Sequence, residues 1–566
     1  MVEGKMAMMM HSQPLQQKTK FLSFDSGDSH LGNKHLAPRP GNLCREIINE
    51  GGLCNKSSQG YVYTLNRVWI LSMKKRDVLF AFLFVITAAA CRQSAPDAGL
   101  SDSEHIAAFP EPVAYDLKVD IDYETGMISG DCALTLRNGG EQPVPVIPLN
   151  LYRLMEVSSV TDQAGSSLAF IQNVRIFEDW KELQVNHIRV RIDPPLPPAK
   201  ETTLRIRYGG LLLGYSEAMR YVKDRVSPEL TLIRSDSYAF PQVGIPSWKI
   251  NRALGLKDFG YRVSLTVPSS LVVANGGELV SKEENHGRTT WIYKDRVPSW
   301  RIDLAISKYE ILEAQEGRIK IFAFPEDAEG AQALLHSLTS TLELYTRWFG
   351  PLKVFPGLTV IEVPAGYGSQ ADVAAIIQEA GAFKDGAARY TFYHELSHLW
   401  NVEGTDPAPP RFESEGMAMF LQHLVQEKLE GREGAVANAV GESLAKMAKN
   451  FGEHPGWRKV PMIEYGEKQL TDLSYRMGQI LFFLLYEIMG EEALLDAAGS
   501  FYREYSDTGA TSRQFVDHFK KRSKVNLDRL FEEWVFTAAA ADLITTGTSL
   551  DELVRRYKPA REFEPE

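Results

Sequence analysis

Residues 393–400 read Y-H-E-L-S-H-L-W, from Tyr393 to Trp400. His394 and His398 are four apart, which on a helix puts them one turn apart on one face, close enough to share a metal ion. Glu395 follows the first histidine and can reach a water on that ion without being a ligand. Two neutral imidazoles and an adjacent carboxylate suit Zn²⁺ hydrolytic chemistry, in which the carboxylate takes a proton from water. The same pattern arises by chance in long chains, as two histidines on the wet face of a helix. The flanks argue otherwise: Phe392, Leu396, Leu399 and Trp400 are apolar, so the helix reads as interior. A helical run with further carboxylates, R-F-E-S-E-G-M-A-M-F at 411–420, begins shortly afterwards. A glutamate from it completes a His₂Glu set with one position left for water.

The 566 residues imply several domains and large cores. The composition, 44% hydrophobic and 24% charged, excludes a collagenous, coiled-coil or disordered chain. A net charge of −11, with no basic tract beyond the N-terminal region, argues against a nucleic-acid partner.

The N-terminal region has its own pattern. Met73-Lys-Lys-Arg76 and Asp77 precede 13 apolar or small residues at 78–90 and then Cys91, the form of a signal peptide. The run is too short to span a bilayer comfortably. A cysteine directly after Ala-Ala-Ala resembles a bacterial lipoprotein box, with Cys91 as the lipidated first residue. Arg92 behind it resembles an outer-membrane sorting signal. Residues 1–72 then read as a non-native or disordered extension from an upstream start, and 91–110 as a polar tether. Loss of residues 1–90 removes 11 basic and 6 acidic side chains, taking the net charge from −11 to −16. Cys132 is then the only cysteine besides Cys91, and it reads as a small core residue.

From Tyr115 the apolar period is two, and it recurs at 133–137, 188–192, 203–208, 261–267, 271–274, 290–293 and 302–304. Short alternating runs separated by turn residues predict an all-β domain over 111–310. Near Leu334 the period becomes 3.6, with a stripe through Leu338, Leu342, Tyr345 and Phe349 that ends at Gly350-Pro351. A strand at 358–364 follows, then the turn A-G-Y-G-S-Q at 365–370, the motif helix, and a helix over about 412–430. The apolar run 473–489 is interrupted by Arg476, Gln479 and Glu487, so it reads as a core helix rather than a membrane span. After about 541 the sequence is a polar tail with one weak helical segment.

In this order the pieces resemble the M1 family of zinc metallopeptidases, the aminopeptidase N and leukotriene A4 hydrolase group, over roughly residues 112–537. The resemblance rests on the β-rich first part and on His394-Glu395-x-x-His398 followed by Glu415-Gly416-Met417-Ala418. It implies a multidomain fold: an all-β N-terminal domain, then a thermolysin-like α+β catalytic domain (311–540) finished by helices, then the tail 541–566. It implies one catalytic Zn²⁺ on His394, His398 and Glu415, with Glu395 as base. The interval between His398 and the glutamate is 16 residues rather than the family's 18, and Glu413 is the alternative ligand. Tyr475-Arg-Met-Gly478 falls where the family carries a catalytic tyrosine, which implies an oxyanion donor in Tyr475.

One segment departs from the pattern. The family's Gly-Ala-Met-Glu-Asn strand binds the substrate α-amine through its glutamate. The matching place, Gly366, Tyr367, Gly368, Ser369 and Gln370, is the expected substrate-binding turn and has no carboxylate, although Asp372 and Glu379 are near in sequence. The family's long C-terminal helical array is also missing, which makes this a shortened member. The resemblance implies an aminopeptidase acting on small peptides; the lipoprotein-box pattern implies the bacterial cell envelope, facing the periplasm or exterior, with membrane contact through the lipid on Cys91. The departure keeps two alternatives open: a zinc endopeptidase or other amide or epoxide hydrolase, and an inactive lipid-anchored binding or scaffold protein.

Overall fold

The computed structural model describes residues 109–558, apart from 254–256 and 373. The signal-peptide pattern, Cys91 and nearly all of the tether lie outside the described residues.

The first part is a set of sheets packed on one core. A seven-stranded sheet runs Glu278–Asn285, Arg288–Lys294, Gly260–Pro268, Glu111–Asp122, Met127–Arg137, Glu201–Leu211, Met155–Thr161, with one parallel pair, Glu111–Asp122 with Gly260–Pro268. Alternation dictates which face is buried: Tyr115, Leu117, Val119 and Ile121 point inward, while the residues between them are exposed. Cys132 lies in this core, fully buried. A four-stranded sheet (Phe170–Ile176, Gln184–Leu196, Val144–Tyr152, Gln242–Val243) closes over it.

Six of the described strands of this part lie where the period-two reading does not: Thr231–Arg234, Gln242–Val243, Glu278–Asn285 and three more. Val144–Tyr152 is buried at nearly every position, Met155–Thr161 is short, and Phe170–Ile176 has no fully buried residue, so none shows a long clean alternation. Two apparent breakers sit inside strands instead of ending them. Pro194 and Pro195 fall where the register shifts between Val144 and Val146, in a bulge that needs no amide donor. Gly210 is needed because a Cβ there would fall 2.1 Å from the Leu154 carbonyl oxygen, and its φ is +155°.

The second part begins with a five-stranded sheet in the order Glu310–Ala314, Ile319–Ala323, Leu358–Val363, Ala375–Glu379, Gln370–Ala371. The crossover helix Ala328–Phe349 links two parallel strands and buries its apolar stripe beneath the sheet. The remaining helices pack on this layer around one large core. A smaller cluster joins the parts: Leu232, Ala274 and Ala305 meet Ile361, Val363 and Ile377 of the five-stranded sheet. The architecture is therefore the multidomain one, sheets first and a mixed, helix-finished part second.

The run Thr471–Met489 is a core helix, and among the described residues no helix is long and apolar enough to cross a membrane. The helical segment expected after 541 is present, and more of the described tail is folded than that reading gave. Ala539–Thr545 and Leu550–Tyr557 are helices, the latter opened by a reciprocal cap between Ser549 and Glu552, and Ile544, Leu553 and Tyr557 join the core. Their polarity reflects the outer face of short amphipathic turns, which a composition reading averages away.

Candidate active site

The histidines come from the helix Tyr390–Ser397 and the 3₁₀ turn His398–Trp400 that ends it. Tyr345 of the crossover helix donates its hydroxyl to the Tyr393 carbonyl at 2.9 Å, and Trp400 donates its indole N–H to the Gly350 carbonyl at 2.9 Å. The helix and the turn that ends it are thus fixed to the layer beneath.

The glutamate comes from a π-helical turn, Phe412–Gly416, that leads into the helix Met417–Glu430. Such turns are uncommon and cluster at functional sites. The opposing wall is the helix Thr471–Met489. A Cβ at Gly416 would fall 2.4 Å from Gly478 Cα, and one at Gly478 2.6 Å from Gly416 Cα. The two backbones touch at this glycine pair, one residue after Glu415 and three after Tyr475. Gln479 donates to the Met419 carbonyl at 2.9 Å beside it.

The result brings together residues far apart in sequence. Single ligand atoms of His394, His398 and Glu415 all lie within 4.8 Å of one another, and all three residues are buried. Glu415 Oε2 is 3.4 Å from His394 Nε2 and 3.7 Å from His398 Nε2. Glu415 Oε1 accepts from Arg411 Nη2. The Tyr475 ring lies parallel to that of His394, with centroids 6.2 Å apart. Glu413 faces away, toward Ser512 and Asp406, so Glu415 is the carboxylate beside the imidazoles.

These buried polar atoms lack partners in one place. His394 Nε2, His398 Nε2, both Glu395 carboxylate oxygens, Glu415 Oε2 and the Tyr475 hydroxyl have no hydrogen bond. Such orphans are costly unless something else satisfies them. A tetrahedral cation with nitrogen and oxygen ligands fits two imidazole lone pairs and one carboxylate oxygen, so the donor set suits Zn²⁺.

The far sides of the rings support that assignment. His394 Nδ1 lies 3.1 Å from Gln422 Oε1, which fixes the N–H on Nδ1 and leaves Nε2 as a lone pair. The Asn401 amide lies 2.8 Å from His398 Nδ1, and its Oδ1 is otherwise partnerless. Turned over, the amide offers that oxygen to Nδ1–H. Neither residue stands out in the motif, although Gln422 is seven after Glu415 and so on the same helix face.

Electrostatics follow from burial and pairing. Burial depresses His398 to about 3, keeping the ring neutral. Burial also works on His394, but the Glu415 and Glu395 carboxylates, with Gln422, outweigh it and the pKa rises. Burial would raise Glu415, yet Arg411 and the imidazoles hold it far below the usual range. Burial pushes Glu395 up to about 7. The Tyr475 hydroxyl, raised well above 10 chiefly by burial, stays a donor.

The expected substrate turn is placed but largely occupied by its own bonds. Gly366 and Gly368 have φ of +82° and +76°, and both donate their N–H to Glu379 Oε1, at 2.9 and 2.6 Å. Ser369 Oγ accepts from the Glu379 N–H at 3.1 Å. Tyr367 is buried, and its carbonyl accepts from Arg234 at 3.1 Å. Gln370 Oε1 accepts from Arg301 at 2.9 Å, and Arg301 also donates to Asp236 at 2.7 Å and to Asp303. Asp372 accepts from Ser299 at 2.7 Å. Ala371, between Gln370 and Asp372, turns its N–H toward Glu395, so the turn borders that carboxylate.

No protein-family model matches the sequence, nor does any curated protein sequence. Solved structures do match in fold. An M1 zinc metallopeptidase mutant from Deinococcus radiodurans bound to a Tyr-Ser-Ala substrate aligns over 75% of this chain and 94% of its own, at 18% identity and a TM-score of 0.53. A two-domain M1 zinc metallopeptidase mutant bound to L-arginine aligns over 81% and 96%, at 18% identity and a TM-score of 0.51. At that identity the likeness concerns the fold: the chain has the multidomain architecture of the M1 zinc metallopeptidases.

Proposed function

We propose that the protein hydrolyses peptide bonds with one zinc ion held by His394, His398 and Glu415, as an M1-like aminopeptidase on small peptides outside the cytoplasm. The observation that carries this reading is the convergence of two partnerless imidazole nitrogens and a partnerless carboxylate oxygen in a buried site beside Glu395 and Tyr475. Zinc bound there supplies Lewis-acid chemistry, acidifying water and polarising a carbonyl. Glu395 accepts the proton of the attacking water and passes it to the leaving amine. Tyr475 donates its hydroxyl to the oxyanion as charge develops on the scissile carbonyl. Gln422 and Asn401 hold the imidazoles in the ligating orientation.

A second reading, an endopeptidase or other amide or epoxide hydrolase, draws support from Gln370. It is neutral and already accepts from Arg301, so it offers nothing to offset a substrate ammonium. Metal analysis followed by assay of free and N-acetylated peptides separates the readings. An aminopeptidase loses activity on acetylation; an endopeptidase does not. Absence of both metal and hydrolysis would leave only the scaffold reading.

The proposal includes the envelope location, with Cys91 carrying the lipid. Cys91→Ser should move the protein from the membrane to the soluble fraction on cell fractionation, and an unchanged distribution would refute the anchor.

A further inference from the structure

Glu415 has two different neighbourhoods. Its Oε2 faces the two imidazole nitrogens, while its Oε1 is taken by Arg411. Arg411 stands directly before the π turn in left-handed backbone, with φ of +69° and ψ of +6°. Its carbonyl accepts the Glu415 N–H at 2.9 Å, so main chain and side chain both tie it to the glutamate. A non-glycine residue keeps such backbone only where its surroundings demand it. The guanidinium carbon lies 5.9 Å from the centre of the Tyr475 ring, and Asp472, three residues before Tyr475, adds its field to the same cation. Arg411 therefore touches the glutamate and lies against the tyrosine helix.

A carboxylate with both oxygens free can grip a cation with both and fill an extra coordination position. A guanidinium on one oxygen leaves only the other to bind. Arginine suits this task because its charge is permanent and its planar donor fork is rigid.

We propose that Arg411 is a positioning residue that restricts Glu415 to a single donor oxygen, so that the position facing Glu395 and Tyr475 stays open to water and substrate. The proposal rests on the metal-centre reading given above. Partners of ligands generally set ligand orientation, and their loss costs about 10–100-fold in activity or metal affinity.

The test uses the full chain loaded with cobalt in place of zinc, because visible absorption weakens as cobalt passes from four to five ligands. Arg411→Met should bind one cobalt, show the weaker five-coordinate bands, and lose about 10–100-fold in kcat with KM within about twofold. Arg411→Lys keeps one cationic donor on Oε1 and should recover the stronger spectrum and much of the turnover. A structural role alone would lower thermal stability without moving the spectrum. Wild-type absorption in cobalt-loaded Arg411→Met therefore overturns the proposal, whatever happens to kcat. Should Arg411→Met not fold, Arg411→Leu, which also removes the cation, decides, and wild-type bands in that folded variant overturn the proposal as well. Wild-type protein that takes up no cobalt defeats the metal-centre reading itself, a result distinguishable from bound cobalt that ignores residue 411.

Discussion

Glu395 is buried beside the two imidazoles, with only the Ala371 N–H, among the described residues, turned toward its carboxylate. Glu395→Gln keeps the shape, so zinc content should stay stoichiometric while kcat falls by about 10²–10⁴-fold; unchanged turnover in a metal-loaded variant would remove it as the base. His394→Ala takes away one of the two imidazoles and should abolish stoichiometric zinc on elemental analysis. Tyr475→Phe should cost about 10²–10³-fold in kcat with zinc content intact, the usual penalty for one oxyanion donor. These residues were legible because their chemistry needs particular types at particular intervals: two histidines four apart, a nearby glutamate, a distant tyrosine. Arg411, Gln422 and Asn401 were not. A residue that orients a ligand can be any of several donors or acceptors, and only the folded chain shows which atom meets which.

The elements that deliver these side chains meet through glycine. Gly416 and Gly478 bring the π turn and the tyrosine helix into backbone contact, which sets the distance between Glu415 and Tyr475. Gly478→Ala places a methyl group where the Gly416 backbone already is, so one segment must shift. The expected result is destabilisation of about 1–3 kcal/mol in denaturant unfolding together with reduced kcat, and a variant with wild-type values of both would show that the contact is slack. Helix and strand identities were mostly visible through their periods, as with the stripe on Ala328–Phe349 and the alternation of Glu111–Asp122. Glycine and proline misled where long-range contact rather than local turning fixed their role. Gly209-Gly210 and Pro194-Pro195 look like stops, yet the chain runs on through both pairs because a neighbouring carbonyl or a bulge requires them.

At the scale of the whole molecule, the sheets and the catalytic layer are joined by apolar packing and by buried ions. Glu362, on the central strand of the five-stranded sheet, is fully buried and its pKa is raised from 4.5 to about 8, chiefly by burial. Below pH 4.5 the folded and unfolded chains both hold this proton. Between 4.5 and about 8 the unfolded chain has released it and the folded chain has not, so stability declines as pH rises. Glu362→Gln should flatten that decline in Tm measured from pH 5 to 8.5; parallel curves for the two proteins would show that Glu362 does not contribute. The two-part architecture could be read from the change of apolar period, whereas the docking of the last helices could not, because short amphipathic turns resemble a solvated tail. The ion cluster at the junction has a consequence for how specificity can change. Gln370 is one corner of a lock whose others are Arg301, Asp236 and Asp303. A glutamate introduced at 370 alone would be neutralised by Arg301 and Arg234, and loss of Arg301 alone would take from Asp236 and Asp303 the guanidinium that bonds them both. Neither single step frees a negative charge at position 370, so a change of charge there is coupled to the arginines behind it.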